Sequence, residues 1–143
     1  MNPLDRLLSQ LRQANEAAQS AKDAALVDSG LTKAQYNALL LLARGNGSTA
    51  SQLAQACGVS QQAMSQTVNR LVDASFVTAE RSPHGGRAMV LTVTERGRSS
   101  LALADERVQE LDDHLRQQLA PLEMGTFAAA LDRLRIASLG RLK

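Results

Sequence analysis

Gln62, Ser65, Gln66, Asn69 and Arg70 stand at the spacings i, i+3, i+4, i+7 and i+8, so a helix through them sets all five on one side, with Asp73 at its end. Their chemistry is that of paired donors and acceptors. Gln and Asn amides can grip the edge of adenine with two hydrogen bonds, and an Arg fork does the same to guanine. A merely solvated helix face has a similar composition, so position in the chain must decide between the two readings. The opposite side of the same segment collects Met64, Val68, Leu71, Val72 and Ser75 within an arc of about 100°, which is a face for packing inward.

The elements around this segment follow from their end signals. Thr49-Ala50-Ser51-Gln52 has the residues of a capping box and opens a short helix carrying Leu53, Ala54 and Ala56, which Gly58 stops. Ser60 then caps the next helix, Gln61 to Ala74, with Val59 and Met64 spaced as a staple. Two helices therefore meet across about three residues that include a glycine, with the small Ala54 where they touch; this is a helix-turn-helix pattern. Upstream, Leu31-Thr32-Lys33-Ala34-Gln35-Tyr36 offers a second capping box and staple for a helix over roughly 33–43 that stops at Gly45.

After Ser75 the hydrophobic period changes from helical to alternating. Phe76 to Glu80 and Ala88 to Val93 read as strands about the turn Ser82-Pro83-His84-Gly85-Gly86, with Met89, Leu91 and Val93 on one face. A hairpin directly behind a helix-turn-helix is a wing. Arg81 and Arg87 bracket its tip, where either is a surface charge or a phosphate contact. Thr94 caps a long helix, Glu95 to Leu119, about 37 Å in length, with a stripe of Leu101, Ala104, Val108, Leu111, Leu115 and Leu119. Leu4, Leu7, Leu8 and Leu11 begin an amphipathic first helix that tolerates Pro3 in its first turn, and Pro121 starts a last helix bearing Met124, Phe127, Leu131 and Leu134. The stripe of the long helix exceeds what one subunit covers, and the terminal helices carry leucine stripes of their own, so dimerisation through them is expected.

Composition sets the limits. The 143 residues suit one domain, and 44% hydrophobic with 21% charged residues is too apolar for a disordered chain. The longest apolar run, Ala38 to Ala43, is far short of the roughly 20 residues of a membrane span, and Asp5 and Arg6 interrupt the start where a signal peptide needs apolar residues. A cytoplasmic protein without membrane association is expected. The net charge of +2 decides nothing, but its distribution is informative: Gly45 to Asn69 holds no Lys, Arg, Asp, Glu or His, and arginines follow. Residues 105–113 carry five acids against Arg107, and Arg133 to Lys143 carries four basic residues, both ordinary for solvated helix faces.

Other chemistry finds no support. Cys57, the single cysteine, ends an apolar helix with no nearby cation to lower its pKa, so a buried structural thiol fits better than a redox sensor. His84 and His114 are the two histidines, and the adjacent Asp113 and His114 do not converge on one ion. No nucleophile, metal or phosphate-loop motif is present, so neither an enzyme nor a cofactor is expected.

Order and residues together resemble the MarR family of bacterial transcriptional regulators, through LTKAQYNALLLL, the string LAQACGVSQQAMSQTVNRL, and SFVTAERSPHGGRAMVLTVTERG. The resemblance implies a mostly α, α+β winged helix-turn-helix with N- and C-terminal dimerisation helices. It implies one domain over 1–143, with 31–97 reading DNA and 1–28 and 98–143 pairing two copies through Leu4, Leu7, Leu8, Leu11, Phe127, Leu131 and Leu134. Such a homodimer binds duplex DNA at a pseudopalindromic operator, and many relatives are repressors released by small aromatic ligands or oxidants. The recognition residues become Ser60, Gln61, Gln62, Ser65, Gln66, Asn69 and Arg70. Arg81, His84, Arg87 and Arg96 become wing and backbone contacts, with Arg87 at the family's most characteristic arginine, and Thr32 and Thr49 cap helices that face phosphates. Family wings usually carry an Asp that braces an arginine, whereas this tip reads Gly85-Gly86-Arg87, so a looser wing, mobile in the free protein, is expected. The alternative is a winged-helix protein–protein interaction module that no longer binds DNA, which the charge-poor face would also suit. Effector residues are not assigned.

Overall fold

The computed structural model describes residues 2–45 and 47–142, which leaves Lys143 of the basic tail outside the described residues. Among the described residues six α-helices and one hairpin follow in the order α1 (Leu7–Leu26), α2 (Lys33–Ala43), α3 (Ala50–Cys57), α4 (Gln61–Asp73), β1 (Val77–Arg81), β2 (Met89–Val93), α5 (Glu95–Leu119) and α6 (Met124–Leu139). The fold is thus α+β and mostly α. Two compact units divide the chain, Met1–Val108 and Gln109–Lys143.

The core of the first unit is built on α2, whose Ala38 and Leu39 are wholly enclosed, joined by Leu53 and Ala54 of α3, Met64, Val68 and Leu71 of α4, Leu91 and Val93 of β2, and Leu101 and Ala104 of α5. Each enclosed leucine contributes about 1.5–3 kcal/mol by leaving water. The capping box at Thr32 is complete: Thr32 Oγ1 accepts the Gln35 amide at 3.2 Å, and Gln35 Oε1 accepts the Thr32 amide at 2.8 Å. Its staple partners, Leu31 and Tyr36, are both buried. The Ser29 hydroxyl, also buried, donates to Leu26 O at 2.6 Å and accepts the Leu31 amide, which removes the cost of enclosing it.

Several boundaries differ from those expected. Leu4 lies outside α1, because Asn2 Oδ1 accepts its amide and closes a 3-10 turn over Pro3–Asp5, after which Arg6 is extended and the helix starts at Leu7. Both strands begin one residue later than expected, and β1 extends to Arg81, which pairs with Met89. The cause at the first strand is that Phe76 donates its amide to Leu71 O and so closes α4 in place of entering the ladder.

In the second unit, α6 starts at Met124 and not at Pro121. The Glu123 carboxylate accepts the amides of Gly125 and Thr126 and the Thr126 hydroxyl, which fixes the first turn there and holds Glu123 below the usual carboxylate range. No residue of α6 is buried.

Tyr36 is also the link between α2 and α5. Its hydroxyl donates to Asp105 Oδ1 at 2.6 Å, and Lys22 Nζ of α1 lies 5.1 Å from its ring centre. A hydrogen bond to a charged acceptor contributes about 1.5–3 kcal/mol. Burial, then the Asp105 carboxylate, push the Tyr36 hydroxyl up to about 12 from 10.0. Because the folded value lies above the unfolded one, this stabilisation is whole below pH 10 and is lost as pH rises through 12. Tyr36 is the single tyrosine, so tyrosinate absorbance in a pH titration reports it alone. The expected native midpoint is near 12, falling to the ordinary value in urea; a native midpoint near 10 would mean the Asp105 contact is not made.

Candidate nucleic-acid interface

The turn between α3 and α4 is closed by backbone alone. Gly58 takes the left-handed conformation at φ 68°, its amide donates to Gln55 O at 3.3 Å, and the Val59 amide donates to Ala54 O at 3.1 Å. Two of the trailing carbonyls of α3, Ala54 and Gln55, are satisfied in this way, at a φ where a side chain would be strained. Ser60 Oγ then accepts the Ala63 amide at 3.1 Å and starts α4. The capping box expected at Thr49 is half made: Thr49 Oγ1 accepts the Gln52 amide, but Gln52 Oε1 turns one residue further back, to the Ser48 amide at 2.8 Å and the Ser48 hydroxyl at 3.3 Å. Ser48 O in turn accepts the Leu91 amide at 2.8 Å, tying the entry of α3 to the hairpin. Met64 is buried while Val59 is 46% exposed, so the expected staple leaves Val59 largely in solvent.

Helix α4 divides as its sequence requires. Met64, Val68 and Leu71 are buried and Val72 half-buried, whereas Gln61, Gln62, Ser65, Gln66, Asn69, Arg70 and Asp73 are all exposed. At about 100° per residue, Gln62 and Gln66 form the crest opposite the core, with Arg70 on one flank and Ser65 and Asn69 on the other. Ser65 and Asn69 line a depression of about 410 Å³ with Thr49 and Ser51 at the start of α3 and Met89 of the hairpin. Among the described residues, the side chains of Gln62, Ser65, Gln66, Asn69 and Arg70 make no hydrogen bond or ion pair to the protein. Their donors and acceptors are left for an outside partner.

The exit of α4 is set by one junction. Ser75, expected on the packing face, is exposed and takes φ 62°, because the amides of Ser75 and Phe76 turn back to Val72 O and Leu71 O, both at 2.9 Å. That left-handed turn is held from the far side by Thr94. The Thr94 hydroxyl donates to Ser75 O at 2.6 Å, its amide donates to Phe76 O at 3.0 Å, and its Oγ1 accepts the Gly97 amide at 3.0 Å, which caps α5. Gly97 is buried against the same carbonyl: a Cβ there would fall 2.1 Å from Phe76 O. Arg98 Nη1 donates to Val93 O at 3.0 Å, and the Arg96 guanidinium lies 5.3 Å from the Phe76 ring centre, so this candidate backbone contact is engaged within the protein.

In the hairpin, Arg81, His84 and Arg87 are all exposed. The turn is held by Ser82, whose O accepts the Gly85 amide and whose Oγ accepts the His84 amide. Gly85 and Gly86 sit at φ 86° and 96°, a conformation that suits glycine. Among the described residues Arg87 has no acidic partner. Thr32 caps α2 and does not line the depression that Thr49 shares with α4.

The remaining candidates are dispersed. Leu4, Leu7 and Leu8 are 59%, 55% and 78% exposed and Leu11 half-buried, while on α6 Leu131 is exposed and Phe127 and Leu134 are half-buried. Cys57 is half-buried, and burial pushes its thiol up, which lowers the thiolate fraction available for reaction. Among the described residues no three His, Cys, Asp or Glu side chains gather as a metal site. Sequence reasoning missed the parts played by Ser51, Ser75 and Gly97. Only Gly97 left a signal, as a glycine in a first helical turn where nothing local demands one.

Two short helices closed on a glycine turn, a polar unpaired face on the second, and a hairpin behind it define a winged helix-turn-helix DNA-binding protein. Residues 29–88 match the MarR family. The chain is 31% identical over 111 residues to the HTH-type transcriptional repressor Rv2887 of Mycobacterium tuberculosis, covering 78% of this chain and 80% of that one. It belongs to the MarR family of transcriptional regulators. The solved structure of Rv2887 in complex with salicylic acid aligns over 94% of this chain and 99% of that one, with a TM-score of 0.70 and 27% identity. The transcriptional repressor CouR, solved bound to a 23-mer DNA duplex, shares the fold over 94% and 93% of the two chains, with a TM-score of 0.81 and 24% identity.

The junction yields a contest of signs. Gly→Ala in a helix normally gains about 1 kcal/mol from propensity, but at Gly97 the new methyl meets the Phe76 carbonyl. Gly97→Ala is expected to lose about 1–3 kcal/mol in urea unfolding; a variant as stable as wild type, or more so, would show that the close approach is not maintained.

Proposed function

We propose that this chain is a ligand-responsive repressor that acts as a homodimer on a pseudopalindromic operator. α4 enters the major groove and the hairpin lies along the backbone or minor groove. Gln62, Ser65, Gln66 and Asn69 choose sequence by base contacts, with Ser60, Gln61 and Arg70 completing the surface. Arg81, Arg87 and His84 supply affinity through the phosphates, as does Arg96 if it leaves the Phe76 ring, and the helix starts at Thr32 and Thr49 add amide donors. The observation that carries this reading is the outer side of α4, where five side chains able to read base edges stand exposed without partners among the described residues.

The exposed leucines of α1 and α6 support pairing of two copies, since apolar side chains this open on amphipathic helices need a cover. A small aromatic effector is the ligand class in view, in keeping with the salicylic acid held by Rv2887. The protein acts by binding and not by turnover. No helix among the described residues is long and apolar enough to cross a membrane, in keeping with a cytoplasmic site of action.

The test is titration of the purified protein against the intergenic DNA upstream of its own gene at low and moderate salt. Arg87→Ala is expected to weaken every site alike and to lower the salt slope by about 1. Gln66→Ala is expected to cost about 1–3 kcal/mol at one base pair per half-site and to leave the slope unchanged. Equal affinity of both variants and wild type for the operator would reject this division, and no sequence preference in the wild type would favour the interaction-module alternative.

A further inference from the structure

The reading face has a support that its sequence does not advertise. Gln61 opens α4, and its Oε1 accepts a hydrogen bond from the Ser51 hydroxyl of α3 at 3.3 Å. Both residues are exposed, and Ser51 lines the same depression as Ser65 and Asn69, so its hydroxyl lies on the reading side of the motif. Among Gln61, Gln62, Ser65, Gln66, Asn69 and Arg70, only Gln61 has a side-chain partner among the described residues. A free glutamine amide presents one acceptor and one donor side by side, which matches adenine N6–H and N7. A carbonyl oxygen has two lone pairs, so Ser51 does not use up Oε1 but holds it toward α3, which leaves the N–H donors as the outward edge of Gln61.

We propose that Ser51 is a positioning residue for base choice: by holding Gln61 Oε1 toward α3 it turns the amide's N–H donors outward, matched to the acceptors N7 and O6 of guanine. The inference rests on the reading of α4 as the base-reading helix. Ser51 itself need not touch DNA; it acts through the orientation of Gln61.

The experiment is selection from a randomised operator library by wild type, Ser51→Ala, Ser51→Thr, Gln61→Ala and the double variant of Ser51→Ala with Gln61→Ala. Wild type is expected to select guanine at a pair where Gln61→Ala selects nothing. Ser51→Ala is expected to lower the guanine-to-adenine ratio at that pair roughly tenfold, within the range of one bidentate contact, and to leave the other positions alone. Ser51→Thr, which keeps the hydroxyl, should retain guanine, and Ser51→Ala should add nothing once Gln61 is gone. An unaltered Ser51→Ala profile, or a Ser51→Ala effect that persists without Gln61, overturns the assignment while leaving α4 as the reading helix. A wild type that prefers no base at any position overturns the reading itself and this assignment with it.

Discussion

The arrangement depends on how the Phe76 and Ser75 carbonyls are held. They leave α4 through a left-handed turn at Ser75, a non-glycine residue at φ 62°, and such a turn persists only where its surroundings over-determine it. Thr94 does so with its hydroxyl and its amide, and Gly97 lets α5 approach closely enough for the capping bond to form. One threonine therefore holds the exit of α4, anchors the hairpin and begins the long helix. The direction of α4 relative to the strands behind it is fixed by contacts of Thr94 to backbone groups.

The face so presented is almost without charge, which has a physical consequence. Attraction to phosphates is long-ranged and indifferent to sequence, whereas amide hydrogen bonds form only at contact and only with matching edges. On the proposed reading, this protein separates the two tasks in space. Affinity comes from arginines on the hairpin and from helix starts, and choice of sequence comes from a neutral crest on α4. A neutral crest also gives little hold on DNA of the wrong sequence, since there the amides lose their partners and no charge compensates.

The helices were legible wherever a local signal set their ends. Thr32 with Gln35, Gly58 and Ser60 placed α2, α3 and α4 to within a residue, because capping chemistry is confined to neighbours in sequence. The family and the mostly helical winged fold were legible for the same reason. What escaped were features set by distant partners. Phe76 looks like a strand residue until Leu71 and Thr94 claim its amide and carbonyl, and Gln52 looks like a capping-box partner for Thr49 until Ser48 draws it aside. Pro121 looked like the start of the last helix, but Glu123 offered a stronger cap two residues on. At the candidate site, the exposure of the five reading side chains followed from helical periodicity, whereas the Ser51 contact to Gln61 spans ten residues and a turn and left no trace in spacing.

DNA reading as proposed requires the amide-rich side of α4 to lie in the major groove, twice for each bound assembly. Methylation protection on the operator measures this directly, because guanine N7 opens to the major groove and adenine N3 to the minor. The predicted result is protection of guanine N7 in two clusters about one helical turn, 10–10.5 base pairs, apart and symmetric about the operator centre. Full reactivity of guanine N7 throughout an operator that the protein demonstrably occupies would contradict it.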